Sequence, residues 1–333
     1  MIKEFAFQWH ITDLCNLRCK HCYQENFSKE RDLSPDILRI ILSDIENTLK
    51  SLDFDSLSIN ITGGEPLISP LFYPLLEVME ESKLINTVNI ITNGIFLKNH
   101  FDKIIKFKKI NEIKVSLEGA TERTNDYIRG KGNFKIVLEN INYIREKFPE
   151  FKNLVLMLTL AKYNYKEVKD IYYLAKSLDI KGIILERFIP LGEGKNIKDM
   201  TLGNLEWYEV VSQIADLEKV SIRDLLPYKA FYVDFAENTT YGALCNIGDE
   251  SMALMPNGDV YPCRRLPIII GNLLHERFID VYYKLKKFRE EITKDKLKGI
   301  CHLCPIEDCI GCRALAYALT GDLYEEDFQC WKI

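Results

Sequence analysis

The stretch Cys15-Asn16-Leu17-Arg18-Cys19-Lys20-His21-Cys22 places three cysteines within eight residues, directly after the apolar-rich run FAFQWHIT at residues 5–12. A closed structural zinc site takes four ligands and a disulfide takes two, so an isolated triplet leaves a metal with a position to fill. A four-iron cluster is usually held by four thiolates, and three would leave one iron exposed. The competing reading of the same residues is a zinc site completed by His21 or His10.

Working outward, short β-rich runs alternate with longer amphipathic stretches, the mark of βα units around a parallel sheet. Strands are predicted at Phe5 to Thr12, Ser56 to Thr62, Thr87 to Thr92, Glu112 to Leu117, Leu154 to Leu160 and Gly182 to Phe188. Ser34-Pro35 predicts a helix to about Leu49 by the N-cap and N1 preferences, and Ser69-Pro70 predicts another through about Ser82 by the same device. Further helices are predicted near Leu97 to Lys108, Asn133 to Lys147 and Lys166 to Leu178. Six βα units are two short of a closed eight-unit barrel, so the expected fold class is α/β, a partial (β/α)6 TIM-like barrel. Ligands gather at the carboxyl ends of such strands, where the triplet lies. The turn-rich segment Phe188 to Gly194 ends the repeat. The expected division is therefore a barrel over residues 1–200, a helical linker over 201–237 with its helix at Leu202 to about Lys219, and a smaller cysteine-rich domain over 238–333. That last part reads as organised around metal rather than around a large core.

Composition narrows the class. The chain has 333 residues, 47% of them hydrophobic, which is ample for a buried core. Its net charge of −5 gives no basic footprint, so no nucleic-acid partner is expected. No apolar run approaches the ~18 residues that cross a bilayer, and the start MIKEFAFQWHITD lacks a signal-peptide layout. The expectation is a cytoplasmic protein without a membrane partner. Ten cysteines in such a chain point to metal or redox chemistry rather than disulfides. They also segregate: Cys15, Cys19 and Cys22 at one end, and Cys245, Cys263, Cys301, Cys304, Cys309, Cys312 and Cys330 in the last ninety residues.

The triplet resembles the signature of the radical S-adenosylmethionine (SAM) enzymes, Cys-x3-Cys-x-aromatic-Cys, with His21 in the aromatic slot. The resemblance implies that Cys15, Cys19 and Cys22 hold a 4Fe-4S cluster whose open iron chelates SAM, and that one electron cleaves SAM to methionine and a 5'-deoxyadenosyl radical. It extends to later strand ends. Gly63-Gly64-Glu65-Pro66 is similar to the family's GGEP motif, which receives the SAM amino group; by itself it is a glycine turn before a helix. The third strand ends in Thr92-Asn93-Gly94. The fourth ends in Ser116-Leu117-Glu118-Gly119, where Ser116 corresponds to the residue touching the SAM ribose, and Arg129 to an arginine that pairs with its carboxylate. A forked guanidinium suits that bidentate task. Taken alone, Ser116 caps a turn and Arg129 is solvated.

The tail resembles the seven-cysteine SPASM extension, which holds auxiliary 4Fe-4S clusters on radical SAM enzymes that modify peptides and proteins. The resemblance implies one auxiliary cluster on Cys301, Cys304, Cys309 and Cys330, and another on Cys245, Cys263 and Cys312, with a fourth position left to a non-cysteine group or open. The spacing from Cys304 to Cys312 is shorter than the family's common form. A Cys-x2-Cys…Cys-x2-Cys ladder is also a zinc-ribbon pattern. In sulfatase-maturing relatives an aspartate base follows the cysteine equivalent to Cys263. Here Arg264 and Arg265 follow it, and a permanently charged guanidinium does not replace a carboxylate base. These arginines instead suit a carboxylate-bearing substrate or acidic peptide side chains; in the plainer reading they are surface charges.

The family thus implies an oxygen-sensitive oxidoreductase that abstracts a substrate hydrogen, most often from a ribosomally made peptide that it crosslinks, oxidises or epimerises. It implies an electron donor such as ferredoxin or flavodoxin. The barrel begins almost at residue 1, which points to a separate leader-peptide-binding protein, or to a small-molecule substrate such as a tetrapyrrole or a molybdopterin-type cofactor precursor. The alternative of another class is a non-catalytic zinc-binding interaction protein. No catalytic acid, base or hydrogen donor is legible.

Overall fold

A computed structural model describes residues 2–331. The predicted βα repeats are present: β1 (Glu4–His10), α1 (Pro35–Ser51), β2 (Ser56–Thr62), α2 (Phe72–Glu81), β3 (Ile85–Thr92), α3 (Leu97–Ile104), β4 (Ile110–Ser116), α4 (Glu122–Arg129), α5 (Asn133–Lys147), β5 (Leu154–Leu160), α6 (Val168–Ser177) and β6 (Gly182–Arg187). Then follow α7 (Asn204–Glu218), β7 (Ala230–Asp234), β8 (Thr239–Ala243), β9 (Ser251–Leu254), β10 (Asp259–Tyr261), β11 (Gly271–Asn272), α8 (Phe278–Glu290), α9 (Gly299–Leu303) and α10 (Arg313–Thr320). This is a mixed α/β protein in which parallel strand pairs dominate.

Local chemistry explains the helix starts. The Ser34 side chain accepts a hydrogen bond from the Ile37 N–H and Pro35 fills N1, and Leu38, Ile41, Leu42, Ile45 and Leu49 then bury one stripe of α1. The same reading at Ser69-Pro70 is corrected. Pro66–Ile68 forms a 3-10 turn, the Ser69 hydroxyl accepts from the Leu71 N–H, and α2 starts at Phe72 without a side-chain cap. Ser69 spends its oxygen within the turn that precedes the helix.

The chain forms two compact units. The first comprises the amino-terminal stretch through Asn16, Asn26–Lys114 and Asn246–Glu291. In it β1 pairs in parallel with β2, β2 with β3 and β1 with β9, while β10 and β11 add antiparallel. On β1, Phe5, Phe7 and Trp9 are buried, with Phe5 meeting Phe54 and Phe278 edge-on at 5.8 Å each. Burying each such ring is worth roughly 2–3 kcal/mol. The alternate face is polar: Gln8, Asn60 and Asn89 stand in register across β1, β2 and β3. The strands β9 to β11 fall in the cysteine-rich segment, for which the sequence predicts no strand.

The second unit comprises Leu17–Glu25, Val115–Cys245 and the described residues from Ile292 onward. Its β5, LVLMLTL, is buried along nearly its whole length, as expected of a parallel-sheet strand covered on both faces. It pairs with β6, to which the hairpin β7–β8 adds antiparallel. The expected linker helix is α7, and its Trp207 stacks on Phe231 of β7. The strand β7 within that linker was not predicted.

Candidate active site

In the first unit the chain turns after β2 at Gly63 (φ +146°) and Gly64. A Cβ on Gly63 would lie 2.4 Å from the Thr12 carbonyl oxygen, and one on Gly64 2.2 Å from that of Leu14. Lacking side chains, the two glycines let the Gly64 N–H donate to Thr12 O and the Glu65 N–H to Leu14 O, both at 2.8 Å. The turn is thereby fastened to the residues that lead into Cys15. Glu65 is fully buried, and its carboxylate accepts from the Thr92 hydroxyl (2.7 Å), the Asn93 N–H (2.7 Å) and the Leu67 N–H (3.1 Å). It joins the ends of β2 and β3 and caps the turn that Pro66 opens. Asn93 then donates from Nδ2 to Asn16 Oδ1 at 2.8 Å, beside Cys15.

In the second unit the segment carrying Cys19, His21 and Cys22 is held through its backbone. Lys20 N–H donates to Ile128 O (3.1 Å), Gly194 N–H to Cys22 O (2.9 Å) and Glu193 N–H to Gln24 O (3.1 Å). Gly192 adopts φ +53° where a Cβ would sit 2.4 Å from the Tyr23 carbonyl carbon. Glu118, just past β4, organises the side chains. One of its oxygens accepts from Arg129 Nη2 (2.6 Å) and meets His21 Nε2 (3.0 Å), and the other accepts from the Thr159 N–H (2.8 Å). Burial pushes the Glu118 carboxyl up, but His21 and Arg129 beside it overcome that and hold it at about 2. Arg129 is raised in turn: burial opposes its charge, and Glu118 and then Cys19 outweigh the burial. Arg129 Nη1 lies 3.9 Å from Cys19 Sγ. Tyr163, half-buried close by, is pushed well above the usual phenol range, first by desolvation and then by Glu118.

Glu118 is the residue the sequence reading missed, although it stands in the quoted Ser116-Leu117-Glu118-Gly119. The available signal was an acidic residue at a strand's carboxyl end with an arginine on the following helix. Ser116 is half-buried, and its hydroxyl has no hydrogen-bond partner among the described residues.

The tail has its own buried centre, also in the second unit. Asp327 accepts two hydrogen bonds from Arg187 Nη1 (3.0 and 2.8 Å), and Lys229 lies 3.4 Å away. Its carboxyl is held far below the usual range because Arg187 and Lys229 outweigh the effect of burial. The same residue touches three cysteines. Asp327 Oδ2 accepts from the Cys312 N–H (3.0 Å), its N–H reaches Cys301 Sγ (3.4 Å), and its carbonyl accepts from the Cys330 N–H (2.8 Å). Lys229 keeps its charge against burial through Asp327, with Cys309 and Cys330 near enough to contribute. Cys263 lies in the first unit, its Sγ 3.5 Å from the Arg265 N–H.

These surroundings fit thiolate-held clusters. The sulfurs of Cys19, Cys263 and Cys301 face N–H donors, two of them from buried guanidinium groups at Arg129 and Arg313, which is what anionic iron-bound sulfur requires. Arg129 Nε and His21 Nδ1 are buried without a hydrogen-bond partner among the described residues, leaving two polar atoms for a ligand beside Cys19. None of the ten cysteines is in a disulfide. Among the described residues no three His, Cys, Asp or Glu side chains are gathered in metal-holding geometry.

The model of the radical SAM superfamily matches residues 9–175, half of the chain, and that of the SPASM iron-sulfur cluster-binding domain matches residues 245–305. The chain belongs to the radical SAM superfamily and is an enzyme of the type that carries SAM and 4Fe-4S clusters. The SPASM match includes Cys245, Cys263, Cys301 and Cys304; the other three tail cysteines lie beyond it. Among relatives, the chain is 26% identical to the AdoMet-dependent heme synthase of Methanosarcina barkeri, over 97% of this chain and 95% of that protein. It is 25% identical to the antilisterial bacteriocin subtilosin biosynthesis protein AlbA of Bacillus subtilis, over 90% and 68%. The structure of Streptococcus suis SuiB bound to its precursor peptide SuiA superposes with a TM-score of 0.73 at 19% identity, covering 100% of this chain and 77% of that one. That likeness establishes the fold, and the expected partial (β/α)6 barrel agrees with it. No helix among the described residues is long and apolar enough to cross a membrane.

Proposed function

We propose that this enzyme modifies a ribosomally made peptide or protein by crosslinking, oxidation or epimerisation, beginning with hydrogen abstraction from an unactivated C–H bond. Bound at a reduced cluster, SAM supplies that chemistry by cleaving to methionine and a 5'-deoxyadenosyl radical. In this reading Cys15, Cys19 and Cys22 hold the cluster. The Gly63-Gly64-Glu65-Pro66 turn, with Asn93, shapes the amino-group side of the SAM site, and Glu65 acts by fixing the backbone there. Arg129 faces the SAM carboxylate with its charge maintained by Glu118, His21 lines the cluster loop, and Ser116 offers its hydroxyl to the ribose. The carrying observation is the Cys19–Arg129–Glu118–His21 arrangement, in which a buried cation stands beside a cluster cysteine with a polar atom to spare.

The tail would hold two auxiliary clusters, one on Cys301, Cys304, Cys309 and Cys330, the other on Cys245, Cys263 and Cys312 with a non-cysteine or open fourth position. The division into a barrel over 1–200, a linker over 201–237 and a cluster domain over 238–333 belongs to the same reading, as do a ferredoxin or flavodoxin donor, a separate leader-binding protein and a cytoplasmic location. SuiB, whose structure holds the precursor peptide SuiA, supports a peptide substrate, and AlbA, a bacteriocin biosynthesis protein, agrees with it. A second reading, a tetrapyrrole or similar cofactor precursor, is favoured by the end-to-end match with the heme synthase.

The test is Cys19→Ala in anaerobically prepared protein. It should abolish reductive release of 5'-deoxyadenosine from SAM while roughly eight irons per chain remain in the two auxiliary clusters. Undiminished SAM cleavage by the variant would reject the assignment.

A further inference from the structure

The polar face of the first unit's sheet has a donor bias that the reading above does not use. Three amides stand in register there: Gln8 on β1, Asn60 on β2 and Asn89 on β3. Arg264 Nη1 lies 3.3 Å from the Gln8 oxygen, and Lys114 Nζ lies 3.0 Å from the Asn60 oxygen. Guanidinium and ammonium groups only donate, so the amide atom facing each must be oxygen, and each NH2 points the other way. Asn60 Oδ1 also takes Asn89 Nδ2 (3.3 Å), while Asn89 Oδ1 takes Asn111 Nδ2 (3.3 Å) and the Glu112 N–H (3.1 Å). Every amide oxygen in the row is thus engaged from within. Gln8 Nε2 and Asn60 Nδ2 donate to no described residue, and both side chains are half-buried and reachable.

The row therefore offers N–H groups and positive charge at neighbouring strands, which lie about 4.8 Å apart. Glu112, its side chain 7% exposed, sits 3.7 Å from Lys114 and balances part of that charge. Such a donor-rich surface favours an acceptor with negative charge over a neutral one.

We propose that Arg264, Gln8, Asn60 and Lys114 form a docking site for a carboxylate group of the substrate. This deepens the proposed function and rests on it. It also gives Arg264 a task at the position where sulfatase-maturing enzymes carry an aspartate base.

The experiment is calorimetric titration of anaerobic, cluster-loaded enzyme saturated with SAM, using two carboxylate probes: trimesate as a small molecule, and an acetylated, amidated tetraglutamate as a peptide. Their counterparts are the tricarboxamide and the tetraglutamine peptide. At least one carboxylate probe should bind about tenfold tighter than its amide counterpart, and Arg264→Gln and Lys114→Gln should each weaken it about tenfold, the size of one charge-assisted hydrogen bond. Asn60→Asp, which adds a negative charge to the row, should weaken it further, while the exposed Lys135→Gln should change nothing. Which probe binds identifies a peptide or a small-molecule source. Equal binding of carboxylate and amide, or binding indifferent to Arg264→Gln, Lys114→Gln and Asn60→Asp, overturns the proposal. SAM cleavage by the same preparation is scored separately, because its absence would reject the radical SAM reading and leave the binding result standing.

Discussion

Single side chains carry two consequences that solution measurements can reach. Glu118 compensates a buried Arg129, and removing one partner of a buried pair leaves the other's charge uncompensated. Glu118→Ala is expected to lower unfolding free energy by about 3–5 kcal/mol in urea titrations. Glu118→Gln, which retains an acceptor for Thr159, should cost less, and pairing it with Arg129→Met should recover part of the loss. His10 is fully buried at the end of β1, and its imidazole is pushed down to about 3, mainly by burial and then by the charge of Arg264. Between its ordinary 6.5 and about 3 the unfolded chain holds a proton that the folded chain does not. Stability therefore rises with pH through that window, by roughly 4–5 kcal/mol in total, and is fully present above it. Glu118, depressed from 4.5 to about 2, acts in the same direction at lower pH: its contribution is present above its ordinary value and lost as pH falls through the folded one. His10→Phe should flatten the dependence of unfolding free energy on pH between 4 and 6 by about one proton. An unchanged slope would mean that His10 titrates normally.

Elements show what the sequence made legible and what it hid. Ser34-Pro35 declared α1 because cap chemistry is local, whereas Ser69-Pro70 misled because the same residue types also serve a turn. The six barrel strands were readable from apolar runs, and β2 and β5 match to the residue. The strands β7 to β11 were not, because each spans five residues or fewer, too short for a clear alternation, and β9 finds its parallel partner β1 at the other end of the chain. The cysteine triplet was legible by its spacing as a site with a position to fill, and the glycine turn through its resemblance to a known motif. Asp327 was not, since it acts through groups far along the chain, Arg187 and Asp327 being 140 residues apart; Glu118 had a local signal in Arg129 on the next helix, but its other partner His21 stands 97 residues away. Asp327 joins the loop before α10 to the segment after it by holding the Cys312 N–H, the Cys301 sulfur and the Cys330 N–H. Asp327→Ala should therefore reduce bound iron by about one four-iron cluster per chain, read as iron per protein, with Asp327→Asn retaining more because it keeps an acceptor. Full iron content in Asp327→Ala would assign the residue to packing alone.

At the scale of the whole chain, each compact unit carries part of the proposed chemistry. The first holds Cys15, the glycine turn and the amide row; the second holds Cys19, Cys22, the Glu118 group and the Asp327 centre. In each unit a cysteine sulfur faces an N–H donor, Cys263 in the first and Cys19 and Cys301 in the second, an arrangement suited to anionic clusters. The most direct test of the account is the wild-type enzyme purified and reconstituted without oxygen, assayed for iron and for SAM cleavage on reduction. The account predicts brown protein with roughly eight to twelve irons per chain that releases 5'-deoxyadenosine and methionine. Colourless, zinc-loaded protein that leaves SAM intact would contradict it.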